Sequence, residues 1–171
     1  MGEVATRSAL RIQPATRDDI SEIVRILADG AERMESLGEV SAWPVPFPSS
    51  RIEPYIDANC VFLAVLEGVG PVGTFMLTWN DDPYWDSPKV PAGYLHRMAV
   101  LRQYSGRGVS AHVIHWVFDT VMARGRRCVR LDCLRSADRL RRHYESFGFR
   151  YVRNAEFRGT LLTLYERQLL G

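Results

Sequence analysis

Residues 100–110 read VLRQYSGRGVS. An apolar stretch, GYLHRMAV (93–100), leads into them, and an amphipathic one, VSAHVIHWVFDTVMARG (109–125), leads out. The apolar run predicts a strand, and Val113, Ile114, Val117, Phe118, Val121 and Met122 fall on one side of a helix. Gly106 and Gly108 therefore sit in a strand-to-helix turn. A helix that starts directly from a strand end leaves its first backbone N–H groups without partners. Those donors and the helix dipole point at one place, which suits a phosphate. Glycine lets the backbone take φ > 0 there and approach an anion closely. A Gly-x-Gly turn alone is equally consistent with a purely structural connection. It is not a Walker loop, since no Lys-Ser/Thr follows Gly108, and the three-glycine dinucleotide fingerprint is absent.

Working outward, CVRLDCL (128–134) reads as a strand and ADRLRRHYESF (137–147) as a helix closed by Gly148. FRYVR (149–153) and TLLTLYERQ (160–168) read as two closing strands. Upstream, ALRIQPA (9–15) alternates as a first strand should. Thr16 then opens a helix with Asp19 as its capping-box partner. Ile20, Ile23, Val24, Leu27, Ala31 and Met34 recur at helical spacing, so one face is expected to be buried. EVSAWPVPFPSS (39–50), with three prolines in five residues, predicts a loop, and SRIEPYIDAN (50–59) a short helix. CVFLAVLEG (60–68) and PVGTFMLTW (71–79) predict a hairpin, and NDDPYWDSPKVPAG (80–93) a long loop. No linker or repeat interrupts the chain, so all 171 residues are read as one domain of mixed α/β type.

Composition narrows the class. Hydrophobic residues make up 46% and charged residues 25%, the balance of a globular chain. No apolar run is long enough to span a bilayer, and the first residues lack the blocks of a signal peptide. Cys60, Cys128 and Cys133 have no metal-like spacing and cannot all pair, which points to a reducing, cytoplasmic setting. The net charge is only +2, with a single lysine, Lys89. Arginine in place of lysine suits a GC-rich genome. Eight arginines nevertheless lie between Arg124 and Arg142, a basic segment that tolerates phosphate.

Two segments together carry a resemblance to a known family. LHRMAVLRQYSGRGVSAHVI (95–114) is similar to the pyrophosphate loop of the GNAT superfamily of acyl-CoA-dependent N-acyltransferases. That loop follows a strand ending in Ala-Val and reads Arg/Gln-x-x-Gly-x-Gly/Ala before a helix. RLDCLRSADRLRRHYESFGFRYV (130–152) resembles the family's later strand–helix–strand, in which a tyrosine precedes a Gly-Phe pair. The register set from Val100 and the helix start, preferred to a Gln103-x-x-Gly106-x-Gly108 match two residues earlier, places Ser105 where Arg or Gln is usual and Ser110 where the final Gly/Ala stands. Ala137 occupies the position of an asparagine that often opens the later helix. These departures bear on affinity for the cofactor, and Arg102 or Arg107 is placed to offset them.

The resemblance implies a mixed, mostly antiparallel, twisted sheet of about seven strands flanked by about four helices. It implies acetyl-CoA as acyl donor, without a metal. Met98, Ala99 and Val100 would lie along the pantetheine arm, and Ser105, Gly106, Arg107, Gly108, Val109 and Ser110 would hold the pyrophosphate. Tyr144 matches the family's general acid, although Leu140, Tyr144 and Phe147 also make one amphipathic core stripe. His96 matches a histidine of the aralkylamine N-acetyltransferase branch and is the candidate base, against the alternative of a structural strand histidine. His112 and His115 have the spacing of a helical metal pair but no evident third ligand, so a solvated face is the plainer reading. Trp116 shares that polar side and marks a candidate homodimer interface.

Trp43, Phe47, Tyr84 and Trp85 offer an apolar slot for the acceptor, with Asp81, Asp82 or Asp86 to draw in a cation; stiff surface loops account for the same residues. The expected acceptor is a small primary amine with an apolar or aromatic portion, rather than an acidic metabolite. Two other classes compete: a non-catalytic acyl-CoA-binding domain, and a nucleic-acid module using the arginines from 124 to 142. The last lacks stacking aromatics and a recognition motif. Neither nucleic acid nor membrane is expected as a partner.

Overall fold

The computed structural model describes residues 9–41, 43–80, 83–85 and 90–170. Seven strands form one sheet in the order β1-β2-β3-β4-β5-β7-β6. They are β1 (Leu10–Pro14), β2 (Val61–Leu66), β3 (Gly70–Thr78), β4 (Ala92–Val100), β5 (Cys128–Leu134), β6 (Arg150–Phe157) and β7 (Thr160–Gln168). The helices are α1 (Ile20–Ser36), α2 (Glu53–Asp57), α3 (Val109–Ala123) and α4 (Asp138–Ser146). β1 with β2, β2 with β3, β5 with β7 and β6 with β7 are antiparallel, whereas β4 and β5 are parallel. Helix α3 crosses between these two, as a parallel pair requires. The mostly antiparallel sheet of seven strands with four helices is the one the sequence predicts.

The chain clusters into two compact units, residues 1–77 with 97–116, and residues 78–96 with 117–171. In the first, the predicted helix opens with a 3-10 turn, Arg17–Asp19, before α1. Asp19 Oδ2 accepts the Thr16 N–H at 2.7 Å and the Thr16 hydroxyl at 3.1 Å, so the local capping pair is made. Ile23, Ile26 and Leu27 of α1 bury against Val61, Leu63 and Val65 of β2, the odd-numbered residues on one face of the strand. Each such side chain contributes about 1.5–3 kcal/mol of burial. Phe62 points the other way and stacks on Phe75, with ring centroids 5.4 Å apart.

Trp116, expected on the polar side of its helix, is half-buried against aromatic rings instead. Its ring packs on Phe62 at 4.9 Å and Phe75 at 5.6 Å, inside the first unit. The helix carrying it is apolar around more than one stripe, because β2 and β3 supply a second aromatic surface that sequence periodicity cannot see. Gly30, inside α1, has a packing reason. A Cβ there would lie 3.2 Å from Ala99 Cβ and 3.5 Å from Trp43. The missing side chain lets α1 approach the end of β4.

In the second unit, the alternation of β5 and β7 sorts residues onto two faces. Cys128, Leu162 and Leu164 pack with Ala92, Tyr94 and Trp85 on one. On the other, Tyr165 is fully buried and donates to Glu145 of α4 at 2.7 Å. Phe118, Phe149 and Tyr144 form a ring cluster with successive centroids 5.8 Å apart.

Candidate active site

The glycine turn of the opening stretch lies between β4 and α3, in the first unit. A short 3-10 turn, Arg102–Tyr104, follows β4, and Asp29 of α1 fixes it by accepting the Arg102 N–H at 2.7 Å. Gly106 and Gly108 take φ of +73° and +81°, a region L side chains rarely adopt. A Cβ at either would meet nothing within 4 Å, so that side of the turn is open. Two of the amides expected to face a phosphate are already used: Ser105 N–H bonds Arg102 O at 3.1 Å, and Arg107 N–H bonds Tyr104 O at 3.4 Å. The first helical bond is His112 N–H to Gly108 O, at 3.0 Å. Among the described residues, the amides of Gly106, Gly108, Val109, Ser110 and Ala111 have no acceptor. Unspent donors at the start of a 15-residue helix suit an anion. The residues present fit the diphosphate of a coenzyme. On β4, Ala99 is buried, while Met98 and Val100 are half-buried.

The second unit carries the titratable groups. His96 lies on β4, immediately beyond the Leu95–Leu131 rung where the β4–β5 ladder ends. Asp132 follows that rung on β5. His96 Nδ1 is 4.0 Å from Asp132 Oδ2, and its Nε2 is 3.2 Å from Thr78 Oγ1. The Tyr84 hydroxyl donates to the same Asp132 oxygen at 2.7 Å. Tyr84 is in turn held by an edge contact with Phe157 at 5.3 Å and by Arg153, which donates to its carbonyl. One carboxylate is thus shared by a fixed phenol and a half-buried imidazole.

Tyr144 of α4 is 6% exposed, and its ring packs edge-on against Phe149. Burial, followed by the nearby Cys133 and Asp132, pushes its hydroxyl well above the usual phenol range. Tyr144 therefore stays protonated at neutral pH, a proton donor rather than a base. Its hydroxyl takes no hydrogen-bond partner among the described residues.

The expected acceptor residues divide between packing and chemistry. Trp43 is half-buried and its Nε1–H donates to Leu27 O at 2.8 Å. Phe47 is 3% exposed, in the core of the first unit. Trp85, 6% exposed, lies against Tyr94 and the Arg130 guanidinium in the second. Asp81, Asp82 and Asp86 fall outside the described residues. His115 is exposed, and no group of three metal-ligating side chains is assembled among the described residues. No helix among them is long and apolar enough to cross a membrane.

Sequence reasoning passed over Asp132 and Arg97. Asp132 is the single acid in an otherwise apolar strand apart from Arg130, which was the available signal. Arg97 has φ +47° in the middle of β4, and nothing local foretells it.

With this geometry in place, comparison with known proteins fixes the class. Residues 28–149 match the Acetyltransferase (GNAT) family, and the chain belongs to that family. Uncharacterized N-acetyltransferase YesJ of Bacillus subtilis is 32% identical over 74 residues, which span 43% of this chain but only 38% of that relative. Among solved structures, a GNAT-family acetyltransferase of Listeria monocytogenes superposes with a TM-score of 0.76 at 23% identity, covering 94% of this chain and 95% of that one. Ard1 of Thermoplasma volcanium gives 0.71 at 16% identity, over 95% and 99%. Salmonella typhimurium yncA, solved with its cofactor acetyl-CoA, gives 0.66 at 17% identity, over 94% of each chain. At these identities the superpositions speak for the fold.

Proposed function

We propose that this protein transfers the acetyl group of acetyl-CoA to the primary amine of a small molecule or peptide, in a reducing, cytoplasmic compartment. The observation that carries the reading is the glycine turn before α3, with five unspent amides and an open side. Gly106, Gly108, Val109 and Ser110 hold the pyrophosphate, with Arg107 adjacent, and Met98 and Val100 pair with the pantetheine arm. Acetyl-CoA supplies an acyl group activated as a thioester. The chain's own work is to orient the reactants and to move two protons. His96, backed by Asp132, takes the proton the amine gives up as its nitrogen bonds the acyl carbon. Tyr144, kept protonated by burial, donates its hydroxyl proton to the sulfur as the carbon–sulfur bond breaks. Trp43, Phe47, Trp85 and Asp81 remain the residues proposed for the acceptor.

The alternative, an acyl-CoA-binding domain without turnover, draws on Ser105 and Ala137 at positions where the family carries Arg/Gln and Asn. Calorimetric titration with acetyl-CoA and thiol release over a panel of amines separate the two. We expect both binding and release. Binding without release for any amine would favour the alternative. Gly108→Trp should abolish binding, and a parental affinity in that variant would refute the pyrophosphate assignment.

A further inference from the structure

Within the first unit, one acidic side chain of α1 is spent on the backbone of the glycine turn. Asp29 Oδ2 accepts the Arg102 N–H at 2.7 Å, joining residues 73 apart in sequence. The preceding amide, Leu101 N–H, donates to Val72 O of β3 at 2.8 Å. Two consecutive amides are thus held by two different elements, β3 and α1, just where the chain leaves β4. The bonds further on stay within the turn itself: Tyr104 N–H to Leu101 O at 2.9 Å, then Ser105 N–H to Arg102 O and Arg107 N–H to Tyr104 O. The direction in which residues 106–110 present their amides therefore depends on these two anchors. The second anchor is closely seated, since a Cβ on Gly30, the next residue of α1, would lie 3.2 Å from Ala99 Cβ.

Charge alone gives Asp29 the opposite role. A carboxylate beside a turn that takes a diphosphate repels it, and aspartate is a poorer helix former than alanine. On both counts alanine should be the better residue at position 29. A carboxylate that accepts a backbone N–H, however, makes a charge-assisted bond, stronger than a neutral one. Donors already held in place need not be ordered when the anion arrives, so a fixed turn binds more tightly than a loose one. Resting on the pyrophosphate reading above, we propose that Asp29 is a positioning residue for the acyl donor. It acts through the Arg102 amide, fixing the turn whose free amides hold the diphosphate, rather than by touching acetyl-CoA.

Calorimetric titration of the parent, Asp29→Ala and Asp29→Asn proteins with acetyl-CoA, inorganic pyrophosphate and S-acetylpantetheine tests this. S-acetylpantetheine carries the thioester and the pantetheine arm but no diphosphate. Asp29→Ala should weaken acetyl-CoA and pyrophosphate by a similar factor, about tenfold for the loss of a charge-assisted bond, and leave S-acetylpantetheine unchanged. Asp29→Asn keeps an acceptor oxygen and removes the charge, so its affinities should equal the parent's or exceed them. Arg102 is exposed, so its freed amide can turn to water, and urea unfolding of both variants should match the parent's. Parental or tighter acetyl-CoA binding by Asp29→Ala overturns the proposal, as does an asparagine variant as weak as the alanine one. An equal loss for all three ligands also overturns it, because a merely structural role would weaken them together. Pyrophosphate binding that follows the expected order, in a protein that ignores acetyl-CoA, supports the positioning role and refutes the cofactor reading instead.

Discussion

Replacing Tyr144 with Phe separates catalysis from stability because the structure gives the hydroxyl and the ring different work. The ring is 6% exposed and packs on Phe149, and Phe keeps those contacts. The hydroxyl has no hydrogen-bond partner among the described residues. Removing a hydroxyl that makes no hydrogen bond within the protein costs little stability. The unfolding free energy of Tyr144→Phe should therefore stay within about 0.5 kcal/mol of the parent, or rise. Loss of a general acid typically costs about 10²- to 10⁴-fold in rate. At about 1.36 kcal/mol per decade, that is roughly 3–5 kcal/mol of transition-state stabilisation. The assay is thiol release at saturating acetyl-CoA, alongside calorimetric affinity for acetyl-CoA and urea unfolding. An unchanged kcat would refute the assignment of Tyr144 as the proton donor. A stability loss of more than about 1 kcal/mol would refute the packing argument instead. Tyr144→Ala is uninformative, since emptying such a site costs about 3–5 kcal/mol, a large share of a domain's stability.

Two further outcomes follow from backbone geometry and buried ionisable groups. Gly148 has φ +81°, and a Cβ there would lie 2.8 Å from Arg167 Cζ and 3.3 Å from its Nε. Gly148→Ala should lower the unfolding free energy by at least the roughly 1–2 kcal/mol that a left-handed residue costs, and a stability equal to the parent's would contradict the backbone argument. Burial pushes the Cys128 thiol up to about 11, and burial together with Asp132 pushes Cys133 up to about 12, with Tyr144 displaced in the same direction. Because these values lie above those of the unfolded chain, unfolding releases protons at high pH. Stability should be full below about pH 9 and should fall as pH rises towards 11 and 12. Urea midpoints that stay flat from pH 8 to pH 11 would contradict this.

The sequence by itself determined the elements and the turn that joins β4 to α3. Period-two and helical spacings are local, so β2, β3, α1 and α3 could be read from a dozen residues each. The Thr16–Asp19 cap is three residues long and was equally legible. Gly106 and Gly108 were visible as residues that permit positive φ, and the spacing from Val100 placed the helix start at Val109. Tyr144 was found through its motif, but its protonated state was not, because that depends on the burial of its ring beside Cys133 and Asp132.

Tertiary structure alone decided which side chains meet. Tyr84, His96 and Asp132 come from a loop and two strands, and the Asp132 carboxylate joins partners 48 and 36 residues away in sequence. Asp132 reads as one polar residue within an apolar strand until parallel pairing sets it, like His96, just beyond the Leu95–Leu131 rung. Trp116 looked like an exposed indole because helical periodicity records one face and is blind to a second aromatic wall. Arg51 and Arg97 come to lie over Phe47 for the same reason, through contacts between distant segments that no local pattern records. Local spacing fixes local geometry, but the approach of distant side chains is set by register and packing.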